Sequence, residues 1–278
     1  MQDIHAHTWD QEAHFTPRAV READRSRGYS LDLTVDYDTF IADCAPFDRV
    51  AVFGLKARRS GIWVPDAYVD AFCARHEKLY GFAACDPTQE GDVAACIAAL
   101  QDMDLVGVKM APMYAGFDPR DPLCEPLYAY CQAHGVPILF HTGTTFIGVA
   151  PLEYSRPWIY DRVAIDYPQL RMVLAHLSHP YGEECLAVIR KHPHVYADVA
   201  AIYYRPWQFY NVMVVAQEYG VTDKLLFGTD YPFTTGEESI EGVRGVNDVI
   251  GDSGLPRISS EVIEGILARD AFALLGID

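Results

Sequence analysis

The sequence predicts an α/β protein folded as a single (β/α)8 barrel of the TIM type over residues 1–278, and three observations carry that expectation. Eight short apolar runs begin near residues 2, 49, 79, 105, 136, 171, 194 and 225, each followed by helix-like sequence. Successive starts lie about 23 to 47 residues apart, the spacing of βα units. The runs lack strict polar/apolar alternation, as parallel strands covered on both faces do. Eight such units in 278 residues fill one barrel. A doubly wound open sheet is the alternative, but no Gly-rich phosphate loop follows the first run.

Each element has its own warrant. After the first strand, residues 9–38 are polar and broken by Pro17 and Gly28, and read as a long irregular cover. YDTFIADCAPF (37–47) is a short amphipathic helix leading into the strand RVAVFG (49–54). PDAYVDAFCARHEK (65–78) is helical, LYGFAACDP (79–87) a strand, DVAACIAALQDM (92–103) a helix and LVGVKMAP (105–112) a strand. In DPLCEPLYAYCQAHG (121–135) Pro126 suits a first turn and Gly135 a stop. VPILFHTG (136–143) is a strand, followed by a long loop and a helix around 157–166. LRMVLAHLSHP (170–180) and HVYADVA (194–200) are strands flanking the helix EECLAVIRKHP (183–193). NVMVVAQEYG (211–220) is a helix, KLLFGTDYP (224–232) the last strand, and 261–275 a closing helix.

Composition narrows the function classes. Half of the residues are hydrophobic, enough for a large core. Lys and Arg number 22 against 39 Asp and Glu, a net charge of −17, and no basic cluster stands out. Nucleic acid and anionic membranes are therefore excluded as expected partners, leaving a small-molecule substrate, and a homo-oligomer is compatible with this surface. No apolar run is long enough to span a membrane, and the N-terminus shows no charged-then-apolar signal pattern. Seven scattered cysteines without a C-x-x-C pair suggest reduced thiols and a cytoplasmic location.

In such a barrel the chemistry sits at the C-terminal ends of the strands. Those ends carry His5 and His7, Lys109, His141, His176 and Asp230. His5 and His7 lie two apart on a strand, so both imidazoles share a face. Four histidines and an aspartate on one rim suit nitrogen/oxygen ligation of a divalent ion. The loops add aromatic residues and arginines: Trp63 after the second strand, and Tyr203 and Arg205 after the seventh. That mixture suits a planar or carboxylate-bearing molecule, and equally suits a packed rim.

These motifs resemble the amidohydrolase superfamily, and more narrowly the amidohydrolase-related branch that includes aminocarboxymuconate-semialdehyde decarboxylase. The resemblance rests on His5-x-His7, ILFHTG around His141, VLAHLSHP around His176 and LLFGTDYP around Asp230, and runs from residue 3 to about 275. The tail ILARDAFALLGI departs from it, carrying Asp270 where relatives usually have Asn. The resemblance implies that His5, His7, His141 and Asp230 bind one divalent metal, zinc or manganese. His176 matches a histidine that is a metal ligand in some branches and a catalytic acid/base in the decarboxylase branch, and the second role is the one expected here. Asp230 can both touch the metal and take the proton of its bound water as general base. Lys109 is expected as a pocket cation or a structural pair for a carboxylate in a mononuclear site, and His179, Tyr203, Arg205 and Trp63 as substrate-binding residues. The implied activity is metal-dependent hydrolysis of a small ester, lactone or amide. The alternative is non-oxidative decarboxylation of a small aromatic or unsaturated acid.

Overall fold

A computed structural model describes residues 1–30 and 32–278. Eight parallel strands form one sheet that curls into a nearly closed barrel: β1 (Gln2–His7), β2 (Arg49–Phe53), β5 (Leu79–Cys85), β6 (Leu105–Met110), β7 (Ile138–Phe140), β8 (Met172–Leu174), β9 (Val195–Asp198) and β10 (Leu225–Leu226). The two missing numbers are a small antiparallel hairpin, β3 (Lys56–Ala57) and β4 (Ile62–Trp63), set in the loop after β2. Neighbouring barrel strands are successive in sequence, as eight βα units require. No helix among the described residues is long and apolar enough to cross a membrane.

The long region after β1 is not irregular. It holds α1 (Gln11–His14) and α2 (Pro17–Arg27), with residue 31 outside the described ones. The signals were local: Thr16 accepts from the Ala19 amide as an N-cap, Pro17 takes the first helical position, and Gly28 ends the helix at φ 78°. The remaining helices are α3 (Tyr37–Asp43), α4 (Asp66–Cys73), α5 (Asp92–Asp102), α6 (Pro112–Ala115), α7 (Glu125–His134), α8 (Trp158–Asp166), α9 (Gly182–Lys191), α10 (Pro206–Tyr219), α11 (Gly236–Arg244), α12 (Ser260–Leu267) and α13 (Ala271–Leu275). The closing helix is thus two, because Asp270 caps α13 by accepting from the Ala273 amide. Asp does this as well as Asn would, and the same carboxylate accepts from Gln2 on β1. The sequence reading had no element over 236–244. There Thr235 and Glu238 form a reciprocal capping box for α11.

The last strand is also shorter than its sequence suggests. Regular pairing stops at Leu226, and the chain then crosses to β1 through Ile4 N–H to Phe227 O (3.1 Å), Asp230 N–H to His5 O (2.7 Å) and His7 N–H to Tyr231 O (2.8 Å). Asp3, fully buried, reinforces this seam. Its carboxyl accepts from the His5 amide (2.9 Å), the Thr229 amide (3.0 Å) and the Thr229 hydroxyl (2.7 Å). Replacing Asp3 with Ala leaves the two buried amides unpaired and the Thr229 hydroxyl with only its longer bond to His5 O at 3.3 Å. The expected loss is roughly 3 kcal/mol of unfolding free energy in urea titrations. An unchanged midpoint would remove Asp3 from the barrel's closure.

Candidate active site

The first and last strands, joined at that seam, bring their polar ends together. His5 Nε2 and His7 Nε2 each lie 3.2 Å from Asp230 Oδ1. Ligand atoms of His5, His176 and Asp230 all fall within 4.8 Å of one another. His141 joins the group edge-on, its ring 5.0 Å from that of His176. The five residues predicted from the strand ends are therefore one cluster, and His176 stands inside it rather than apart.

The hydrogen bonds settle which nitrogens face inward. His5 Nδ1 bonds the Asp198 carboxylate at 2.9 Å, so this nitrogen carries the proton and Nε2 presents a lone pair. His176 Nδ1 donates to Ala200 O at 2.9 Å, leaving its Nε2 as a lone pair too. Burial, together with the nearby Lys109 ammonium, holds His5, His7, His141 and His176 below the ordinary imidazole range, His176 at about 4. At neutral pH the cluster is thus a set of uncharged imidazoles around a carboxylate, with His5 and His176 presenting Nε2 lone pairs and His141 donating from Nε2 to Thr144 O at 3.3 Å. Acceptors this close repel unless a cation lies among them. Lys109 supplies one, its Nζ 3.2 Å from His5 Nε2 and 4.4 Å over the Phe53 ring. Burial pushes the Lys109 ammonium down to about 7. A donor set of neutral imidazoles and one carboxylate also fits a divalent metal.

Backbone strain concentrates here. After β8 the chain runs through His176, Leu177 and Ser178 at φ of 59°, 46° and 51°, and Asp230 sits at 65°. Such left-handed conformations are unfavourable for side-chain-bearing residues. Asp198 holds the first: its Oδ1 accepts from the His176 amide at 2.7 Å. Thr142 holds the next part, donating to Ala175 O (2.7 Å) and meeting the Ser178 hydroxyl (2.8 Å).

The cluster forms one end of a cavity of about 720 Å³. Lys109, His179, Tyr203 and Arg205 line it, as does Tyr204. His179 Nδ1 and Arg205 Nη1 are buried with no hydrogen-bond partner. The Tyr203 hydroxyl is committed to structure, bonding Thr229 O, Thr234 and Ser239, so only its ring faces the cavity. Trp63 lies outside the lining, with the Arg58 guanidinium 4.0 Å over its ring, because the β3–β4 hairpin turns it away.

Sequence reading missed Asp198, although the rule of inspecting strand ends reaches it: it closes β9 as the one charge in an apolar run. It also missed Trp9, stacked 4.4 Å from the His7 ring, because its segment had been read as loop. Two outcomes follow. Asp198→Asn is expected to weaken divalent-metal affinity about 10- to 100-fold in chelator competition, since the histidine it orients loses its anionic partner. Unchanged affinity would deny it that orienting role. The buried imidazoles also set a pH dependence. Unfolded, they bind protons below about pH 6.5, whereas folded His176 does so only near 4. The histidines' contribution to stability in chelator is therefore complete above about pH 6.5 and falls as the pH drops toward 4. Urea titrations at about pH 7.5 and about pH 5 measure this, and His176→Asn should flatten the slope.

The sequence profile of the family described as Amidohydrolase matches residues 2–277. No curated protein sequence shows significant similarity to the chain. Solved structures share its fold. An uncharacterised TIM-barrel protein from Bordetella bronchiseptica superposes with a TM-score of 0.76 at 20% identity, covering 99% of both chains. A probable 2-pyrone-4,6-dicarboxylic acid hydrolase from Acinetobacter baumannii, solved with citric acid, gives 0.69 at 16% identity over 99% of both. The 5-carboxyvanillate decarboxylase from Sphingomonas paucimobilis gives 0.67 at 12% identity, over 100% of this chain and 99% of that one. With the profile spanning the barrel from its first strand to its last helix, the chain belongs to the amidohydrolase family and is an enzyme of the amidohydrolase superfamily.

Proposed function

We propose that the protein is a metal-dependent hydrolase of a small ester, lactone or amide. One observation carries the reading: the Asp230 carboxylate touches both His5 and His7 while the same residue lines the cavity. His5, His7, His141 and Asp230 would hold one divalent ion, zinc or manganese. That ion supplies Lewis acidity toward water or a carbonyl oxygen when bound.

The chain's own groups divide the remaining work. Asp230, at the junction of ligand cluster and cavity, takes the proton of the attacking water. His176 receives a proton at Nε2 and passes it to the leaving group, because its Nδ1 is fixed on Ala200 O. The Lys109 ammonium faces the same space and stabilises charge developing on the carbonyl oxygen. Arg205 and His179, each with a buried nitrogen aimed at no protein acceptor, orient the polar part of the substrate. The Tyr203 ring is a wall.

A panel of esters, lactones and amides, run beside a carbon dioxide trap on aromatic acids, tests this. Acid products are expected, and carbon dioxide without hydrolysis would replace the reading with a decarboxylase. Elemental analysis should find one metal equivalent, and full activity after chelation would end the metal mechanism. Asp230→Asn is expected to lower kcat by about 10²-fold or more.

A further inference from the structure

Away from the ligand cluster the cavity changes character. The aromatic rings form a continuous path: His7 stacks on Trp9 at 4.4 Å, and Trp9 meets Phe15 at 5.2 Å and Phe233 at 6.0 Å. Leu33, Leu55, Ile62 and Ile147 continue that wall. Trp9 offers no free polar atom, since its indole N–H donates to Leu33 O at 2.7 Å. The far wall is one face of α2: Ala19, Ala23 and Ser26, spaced as neighbours on a helix.

That helix is fastened on its polar side. The Gly148 amide donates to Glu22 at 2.7 Å, Arg25 donates to Phe146 O at 3.2 Å, and Arg18 donates to Arg59 O. The Thr16 amide donates to Gly61 O at 2.8 Å, tying the helix start to the hairpin. The apolar chamber therefore has fixed walls, and its small alanines leave room that larger residues would take.

The charged lining points to the sign of the ligand. Glu238 is engaged in the α11 capping box, and Asp230 belongs to the ligand cluster. Of the cations, Lys109 is held at His5, which leaves the Arg205 guanidinium with its buried, unpartnered Nη1 to meet an anion. At about 720 Å³ the whole cavity, cluster end included, has the size of sites that hold drug-sized ligands.

We propose that the substrate is a carboxylate with an extended apolar body, its anionic group on Arg205 and its body between the Trp9–Phe15–Phe233 rings and α2, with Ala19 and Ala23 setting the length accepted. The proposal rests on the reading of this cavity as the active site, but its test needs neither turnover nor a known substrate. Binding of benzoate, 3-phenylpropionate, 4-phenylbutyrate and 6-phenylhexanoate to the full chain is measured by titration calorimetry. Each added methylene is expected to tighten binding about fourfold until the chamber is full. Phenylalkanols of matching length should bind at least about tenfold more weakly. In Ala23→Leu, and separately Ala19→Leu, the affinity ratio of the longest to the shortest acid should fall at least about tenfold.

Flat affinity across the series in the unmodified protein would overturn the proposal, with no dependence on how the variants fold. Equal binding of acids and alcohols would overturn the anionic half of it. Length dependence that is present but unaltered in both leucine variants, with melting temperatures unchanged, would remove α2 as the gauge. A protein that shows the length series yet hydrolyses none of the esters, lactones and amides would keep this inference and lose the hydrolase.

Discussion

The structure depends on how the first and last strands are fastened together. β10 ends after two paired residues, and the chain then follows β1 by backbone bonds at Phe227, Asp230 and Tyr231, with the Asp3 carboxyl bracing Thr229. This closure serves two purposes at once. It removes the open edges of the sheet, and it places an aspartate from the end of the chain against two histidines from its beginning. Asp230 N–H donates to His5 O, so the backbone itself ties the two elements whose side chains must meet.

Electrostatics then shapes the site. Desolvation keeps four imidazoles neutral, and neutral imidazoles are good ligands and poor neighbours for a carboxylate's lone pairs. Lys109 and Asp198 supply the compensating charges from opposite sides of His5. Asp198 does more than pair: one oxygen fixes the His5 tautomer, while the other secures the left-handed turn that carries His176. Burial raises its own carboxyl, against the opposing pull of His176, Lys109 and two backbone amides. The histidine–aspartate cluster is preorganised because the strained backbone has few other places to go.

The cavity is built asymmetrically on this base. Polar and charged groups lie toward the strand ends, and the region after β1, with the hairpin and the loops after β7 and β10, covers the rest with apolar side chains. The hairpin and α2 are bound to each other and to the loop after β7 through backbone and charged contacts on their outer sides. The histidine–aspartate end thus belongs to the barrel and the apolar end to the loops after β1, β2, β7 and β10, as expected where loops vary on a common scaffold.

The fold class was legible in the sequence because eight buried parallel strands must read as eight apolar runs at βα spacing, wherever the ends fall. His5, His7, His141, His176 and Asp230 were legible for the same reason: polar residues at the ends of apolar strands have few structural excuses. The caps of α2 and α11 were also written locally, in Thr16-Pro17 and Thr235 with Glu238, and needed only closer reading. Other features were decided by tertiary contact alone. Trp63 lies outside the cavity because a two-residue hairpin pairing rotates it, and Trp9 lies inside because its ring stacks on His7 and its indole N–H is held by Leu33 O. The placement of Asp198 beneath His5 joins residues 193 positions apart. Local sequence determines which side chains are polar and which face they share, but only the closure of the barrel determines which of them touch.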